Sequence, residues 1–192
     1  MSHHYIVMTK KEKILAATLK LIVSKGIDNT PMSEIAKEAD TGMGTIYNYF
    51  STKEVLINEL YFHLKVKESE IIIDGYDITL SVKQRFIHLW RKMVDYFIQE
   101  PMDFLFLEQF YYSPTIDPAA KHKGGLYVRE LDQVYLDGQK QQLIKEGDIK
   151  EWIGFTSGSL VSLVKLHHSK YIHLQETTID KYIQAAWDAV KS

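Results

Sequence analysis

The chain has 192 residues, 45% of them hydrophobic and 25% charged, an ordinary balance for a soluble globular protein with a sizeable core. It has no cysteine, which excludes disulfides, thiol sensors, thiol nucleophiles and zinc fingers, and its formal net charge is only −2. Nothing reads as a signal peptide and the longest uncharged run, Trp152 to Val164, is too short to span a bilayer, so a cytoplasmic protein with no membrane association is expected.

Met1 to Met8 reads as a short N-terminal arm. From Lys10 to Ser24 the residues Ile14, Leu15, Thr18, Leu19 and Ile22 recur at helical spacing, and Gly26 is placed to end that helix. The stretch Thr30 to Lys53, TPMSEIAKEADTGMGTIYNYFSTK, then reads as two short helices, a tight turn and the start of a third helix. Thr30 is the expected N-cap, Pro31 the first helical residue, and Ile35, Ala36 and Ala39 the apolar face. Asp40-Thr41-Gly42 breaks the helix with residues that favour turns. Met43 to Phe50 turns Ile46 and Phe50 inward and leaves Gly44, Thr45, Tyr47, Asn48 and Tyr49 on or near the outer face. Ser51-Thr52-Lys53-Glu54 is a capping-box pattern opening a helix through Val55, Leu56, Leu60 and Leu64 to about Glu70. Two short helices around a tight turn match the helix-turn-helix, whose second helix enters the DNA major groove. By spacing alone an ordinary helical hairpin fits as well.

Ile71 to Thr79 reads as a boundary loop around Asp74-Gly75. Leu80 to Gln99 is amphipathic, with Val82, Phe86, Leu89, Trp90, Met93 and Phe97 on one face. Pro101 opens an aromatic segment to Tyr112 that is apolar nearly all round and therefore expected to be buried. Ser113-Pro114 and Asp117-Pro118 bracket a connection. Tyr127, Leu131, Val134 and Gly138 mark a further helix ended by Lys145-Glu146-Gly147. Asp148 caps one that runs to about Ser169, and Thr177 and Asp180 open the last, with Ile179, Ile183, Ala186, Trp187 and Val190 apolar. No strand-like alternation, repeat or low-complexity tract is present. The expected fold is all-α, with about nine helices.

The elements Ile14-Leu15-Ala16-Ala17, Gly26, Thr30, Ile35-Ala36, Ala39, and above all Gly44-Thr45-Ile46-Tyr47-Asn48-Tyr49-Phe50 followed by Lys53-Glu54, carry a family resemblance. The run from Lys13 to Leu60, about a quarter of the chain, resembles the DNA-binding domain of TetR/AcrR-family transcriptional regulators. One departure is Asp40-Thr41, where the family usually has Gly-Val. The resemblance implies a helix-turn-helix domain over residues 1–53 and a helical ligand-binding and dimerisation domain over 54–192. It implies a homodimeric regulator, a repressor in preference to an activator, that binds palindromic double-stranded operator DNA and releases it to a small-molecule effector.

Carried over position by position, Thr45 resembles a base- or phosphate-contacting residue, and Tyr47, Tyr49 and Lys53 resemble phosphate contacts. Met43 and Asn48 fall where sequence is read, Gly44 lies on the same outer face, and Ser33 is placed for a backbone contact or a local cap. Among the aromatics, Trp90, Phe104, Phe110, Tyr111 and Tyr127 are the candidate ligand-binding set, though such side chains are more often plain core. The stripe Gly154, Gly158, Ser162 permits close approach of another helix, in keeping with a dimer formed by the last two helices. No cofactor is expected. His167, His168 and His173 are close in sequence, but no metal-binding spacing, nucleophile motif or acid–base carboxylate pair appears, so neither metal nor catalytic residues are assigned. The rival reading is an all-helical enzyme or ligand carrier whose N-terminal motif is scaffold. Residues 1–60 hold seven lysines and seven acidic residues, so modest DNA affinity per subunit and reliance on two half-sites are expected.

Overall fold

Helices make up the architecture of the computed structural model, which describes residues 8–125 and 129–192, with side chains left out from 122 to 125. The N-terminal arm through residue 7 and the candidate Tyr127 lie outside the described residues. Ten helices run in order among the described residues: α1 (Lys10–Lys25), α2 (Met32–Glu38), α3 (Met43–Tyr49), α4 (Lys53–Ile73), α5 (Val82–Gln99), α6 (Pro101–Phe110), α7 (Pro118–Gly125), α8 (Arg129–Lys140), α9 (Ile149–His168) and α10 (Glu176–Val190). Among the described residues there is no strand, only an isolated bridge between Ile144 and Lys191. The all-α expectation holds, with one helix more than the nine foreseen.

The extra helix is α7. Asp117-Pro118 suits a connection by sequence, yet an acidic cap followed by proline at the first helical position also opens a helix. The Asp117 carboxylate accepts from Ala119 N at 2.7 Å, and its carbonyl from Lys121 N at 3.0 Å. Two other starts shift by one residue. Pro31, not Thr30, is the N-cap of α2, because the Thr30 hydroxyl turns inward and donates to the Gly26 carbonyl at 2.8 Å. At α4 the hydroxyl of Thr52, rather than Ser51, accepts from the backbone, taking the Val55 N–H at 3.2 Å.

The chain divides into two compact units, Met1–Leu64 with Met102–His122, and Lys65–Pro101 with Lys123–Ser192. In the first, Ile14, Ile22, Ile35, Ile46, Phe50 and Leu56 are sealed from solvent. Burying such a side chain contributes about 1.5–3 kcal/mol, so this small core suffices to fix α1, α2 and α3 against one another. Phe104, Phe106, Leu107 and Phe110 of α6 are buried as well, Phe106 and Phe110 stacking at 4.5 Å. Asn58 on α4 clasps the segment after α6, donating to the Thr115 carbonyl at 3.2 Å and accepting from Asp117 N at 2.8 Å.

In the second unit α5 packs against α8, α9 and α10. Its Phe86 meets Trp187 of α10 edge-on at 5.3 Å and Tyr135 of α8 at 5.8 Å. Arg85, 4% exposed, is paired with Asp137 of α8 at 2.8 Å, and Arg91 pairs with both Asp95 and Asp180 of α10. The Tyr135 hydroxyl donates to Thr156 of α9 at 2.9 Å. Burial pushes this phenol up to about 12, against the pull of Thr156 and Trp90. No helix is long and apolar enough to cross a membrane among the described residues.

Candidate nucleic-acid interface

The turn that aims α3 is built by the backbone. Asp40 has φ 49°, the left-handed conformation, with Asp40 N on the Lys37 carbonyl at 3.3 Å and Thr41 N on the Ala36 carbonyl at 3.0 Å. This pair of bonds is the Schellman ending of a helix, which needs a left-handed residue just past the C-cap. Glycine is the usual occupant, and aspartate is among the few side chains that reach this conformation at modest cost. The Asp40 departure is therefore absorbed without changing the turn. Gly42 follows as N-cap of α3, its carbonyl accepting from Thr45 N and Ile46 N at 3.0 and 3.2 Å.

Ile46 is fully buried and anchors α3. At 3.6 residues per turn, Gly44 and Asn48 each point about 160° away from it, straight out of the domain. Met43 and Tyr47 flank them on one side, Thr45 and Tyr49 on the other. Met43 is 37% exposed, Tyr47 50% and Tyr49 47%, three large side chains open to solvent on one short helix. A Cβ added at Gly44 would meet nothing within 4 Å, so nothing inside the chain asks for glycine there. Ser33 lies exposed in the first turn of α2. Ser33, Met43, Gly44, Thr45, Tyr47, Asn48 and Tyr49 are thus all on α2 and α3 of the first unit, within 17 residues of sequence.

Lys53 is half-buried at the start of α4 and donates to the backbone carbonyl of Ile27. An ammonium has three donors, so this bond leaves two for another acceptor. The other lysines are less available than their number implies. Lys11 pairs with Glu59, Lys20 with Glu38 and Lys25 with Glu34. None of these pairs has helical i,i+4 spacing, which is why sequence reading could not find them. Lys10, Lys13 and Lys37 are exposed.

The aromatic candidates are distributed over both units. Trp90 is buried on α5 in the second unit; Phe104 and Phe110 are buried and Tyr111 is exposed in the first. Three side chains on α5 hold buried nitrogens without a hydrogen-bond partner among the described residues: Arg85 Nε, His88 Nε2 and Trp90 Nε1. The Trp90 indole adjoins the Tyr135 hydroxyl without reaching hydrogen-bond geometry. Unsatisfied buried groups of this kind are costly and unusual. Helical spacing puts Arg85 and His88 off the apolar face of α5, where polar side chains are ordinarily solvated, so nothing in the sequence marks them as enclosed.

On α9 the Gly154, Gly158 and Ser162 stripe is exposed, a Cβ at either glycine would meet nothing within 4 Å, and Phe155 beside it is exposed too. His167, His168 and His173 line a surface depression of about 430 Å³ with Lys170, Tyr171 and Ile172. Among the described residues no group of side chains is arranged to hold a metal ion.

Comparison with known proteins matches residues 14–60 to the family described as bacterial regulatory proteins, tetR family, and residues 81–191 to the tetracyclin repressor-like C-terminal domain. An HTH-type transcriptional regulator of Haemophilus influenzae is 25% identical over 183 residues, which is 94% of this chain and 95% of that protein. Among solved structures, a putative tetR family regulator from Shewanella sp. PV-4 superposes with TM-score 0.87 at 22% identity, covering 96% of this chain and all of that one. A TetR family regulator from Marinobacter aquaeolei gives TM-score 0.88 at 21% identity, over 95% and 96% of the two chains.

Proposed function

Because the chain belongs to the TetR family of bacterial regulatory proteins and is a transcriptional regulator, we propose that it acts in the cytoplasm as a homodimeric repressor, binding a palindromic operator and releasing it to a small-molecule effector. On this reading residues 1–53 bind DNA and residues 54–192 bind the effector and the second subunit. Tyr47, Tyr49 and Lys53 hold phosphates, Ser33 supports the docking, Thr45 contacts base or phosphate, and Met43 and Asn48 read bases across the gap that Gly44 leaves. The observation that carries the reading is the outer face of α3: a glycine with open space above it, ringed by exposed Met43, Tyr47 and Tyr49. A helix of a monomeric scaffold has no reason to display two tyrosines and a methionine around a gap.

Two further observations support the finer parts. The open glycine stripe on α9 suits the flat face of a two-fold dimer, which places two recognition helices at successive major grooves about 34–36 Å apart. The partnerless nitrogens of Arg85, His88 and Trp90, all on α5 of the second unit, suit an effector that brings acceptor atoms, with the Trp90 ring supplying apolar contact. An inducer must bind the DNA-free form more tightly, and DNA then weakens inducer binding by the same factor.

The test is retention of fragmented bacterial genomic DNA on the immobilised full-length protein, followed by sequencing. Enrichment of a few fragments that share an inverted repeat is the expected result. Uniform retention, or none, would defeat the regulator-by-operator reading and favour an enzyme or carrier, which turnover or co-purification of a small molecule would then identify.

A further inference from the structure

We infer that the operator half-site is read as A·T pairs, with Asn48 on an adenine and Met43 and Thr45 against thymine methyl groups, and that α3 makes no bidentate contact to guanine. The inference rests on the operator-binding reading above and adds what the operator must contain.

Its first support is an omission in the chain. The three arginines are Arg85, Arg91 and Arg129, all in the second unit, so residues 1–64 and 102–122 have none. Between Asp40 and Phe50, the turn and helix that face outward, there is no lysine either. Guanine is recognised in the major groove by arginine or lysine reaching its O6 and N7 acceptors together. Of the lysines nearby in sequence, Lys25 pairs with Glu34 and Lys20 with Glu38, while Lys53 lies past α3 at the start of α4, tied to the Ile27 carbonyl and assigned above to a phosphate. The exposed Lys37 lies on α2, before the turn, and not on the outward face of α3.

The second support is what α3 does offer. Asn48 points directly away from the buried Ile46, is exposed, and has no side-chain hydrogen-bond partner among the described residues. Its carboxamide has the donor and acceptor that match adenine N7 and N6 as a pair. One turn earlier, Gly44 removes the side chain that would hold the helix off the groove floor, so a short asparagine can reach. Met43 and Thr45 present only an apolar chain and a methyl with a hydroxyl, and the thymine methyl is the one apolar group in the major groove. An A·T-rich site also suits a unit whose own charge gives little non-specific grip. Eight lysines face ten acidic residues across residues 1–64 and 102–122, so affinity must come from fit.

The experiment is selection of bound duplexes from a randomised library by the full-length protein, repeated with Asn48→Ala, Asn48→Arg and Met43→Ala. These positions are on the surface, and circular dichroism checks that each variant is folded. Wild type should enrich an inverted repeat with A·T pairs at the positions facing α3. Asn48→Ala should lose the adenine preference at one position per half-site, a change of about 5- to 150-fold in discrimination. Asn48→Arg should convert that position to guanine, and Met43→Ala should relax a neighbouring thymine. An inverted repeat with invariant G·C pairs that survives Asn48→Ala would overturn the inference and leave the operator reading standing. Failure of wild type to enrich any inverted repeat would overturn both.

Discussion

The Lys53 ammonium donates to the backbone carbonyl of Ile27, clasping the start of α4 to the loop that follows α1. The residue proposed to hold a phosphate is therefore also structural. A hydrogen bond from a charged donor contributes about 1.5–3 kcal/mol. Lys53→Ala should lower both DNA affinity and unfolding free energy, by about 1.5 kcal/mol for the latter because the site is half-buried. Tyr49→Ala should weaken DNA binding with little change in stability. Urea melts and fluorescence anisotropy on the same samples separate the two; equal stability of Lys53→Ala and wild type would remove the clasp from the account.

Gly44 sits inside α3 at a cost of about 0.5–1 kcal/mol relative to alanine. Since a Cβ there meets nothing in the chain, Gly44→Ala should stabilise the protein by about that amount. The same methyl would enter the space reserved for base edges, so operator affinity should fall. Opposite signs in melting and binding are the signature. A variant that is more stable and binds as well as wild type would show that DNA does not approach this face.

Burial pushes the Asp137 carboxyl up, but hydrogen bonds from Arg85 and Gln133 outweigh it and hold the group below the ordinary carboxylate range. A carboxylate with a depressed folded value gives stability that is present above the unfolded value, about 3.9, and lost as pH falls through the folded one. Asp137→Ala should cost about 2–3 kcal/mol at neutral pH, somewhat under the usual loss for a broken buried pair because Asp137 keeps some solvent contact. Melts from pH 7 down to pH 3 should show wild type and variant converging below about pH 4. Parallel curves throughout would mean the pair contributes nothing to the acid limb.

If α9 and α10 form the subunit interface, Gly158→Leu should place a branched side chain in the open stripe and hold the two helices apart. Light scattering should report monomer, and operator affinity should fall because one half-site binds alone. A native dimer from Gly158→Leu would assign the stripe to some other use.

Local signals made the DNA-binding unit legible. The Gly26 ending, the left-handed Asp40 and the inward Ile46 each depend on residues within a few positions, so periodicity and turn chemistry reach them. Long-range pairings were out of reach. Nothing in the sequence couples Lys20 to Glu38, Asn58 to Thr115 or Arg85 to Asp137, and these decide which charges remain available and how α6 joins the first unit. Aromatic spacing is equally mute about purpose: Phe104, Phe110 and Trp90 have the same period whether they face a core or a ligand. The donors stranded on α5 were hidden because Arg85 and His88 look like ordinary surface residues until the fold encloses them.

The central claim is that α3 reads a particular DNA sequence. Its most direct test is an anisotropy titration of the full-length protein, at physiological salt, with the inverted repeat selected from the library and with the same bases shuffled. The account predicts at least about 1000-fold tighter binding to the repeat, the lower end of specific recognition. It also predicts that Tyr49→Ala weakens both duplexes alike while Asn48→Ala narrows the ratio between them. Equal affinity of the wild-type protein for the repeat and the shuffled duplex would contradict it.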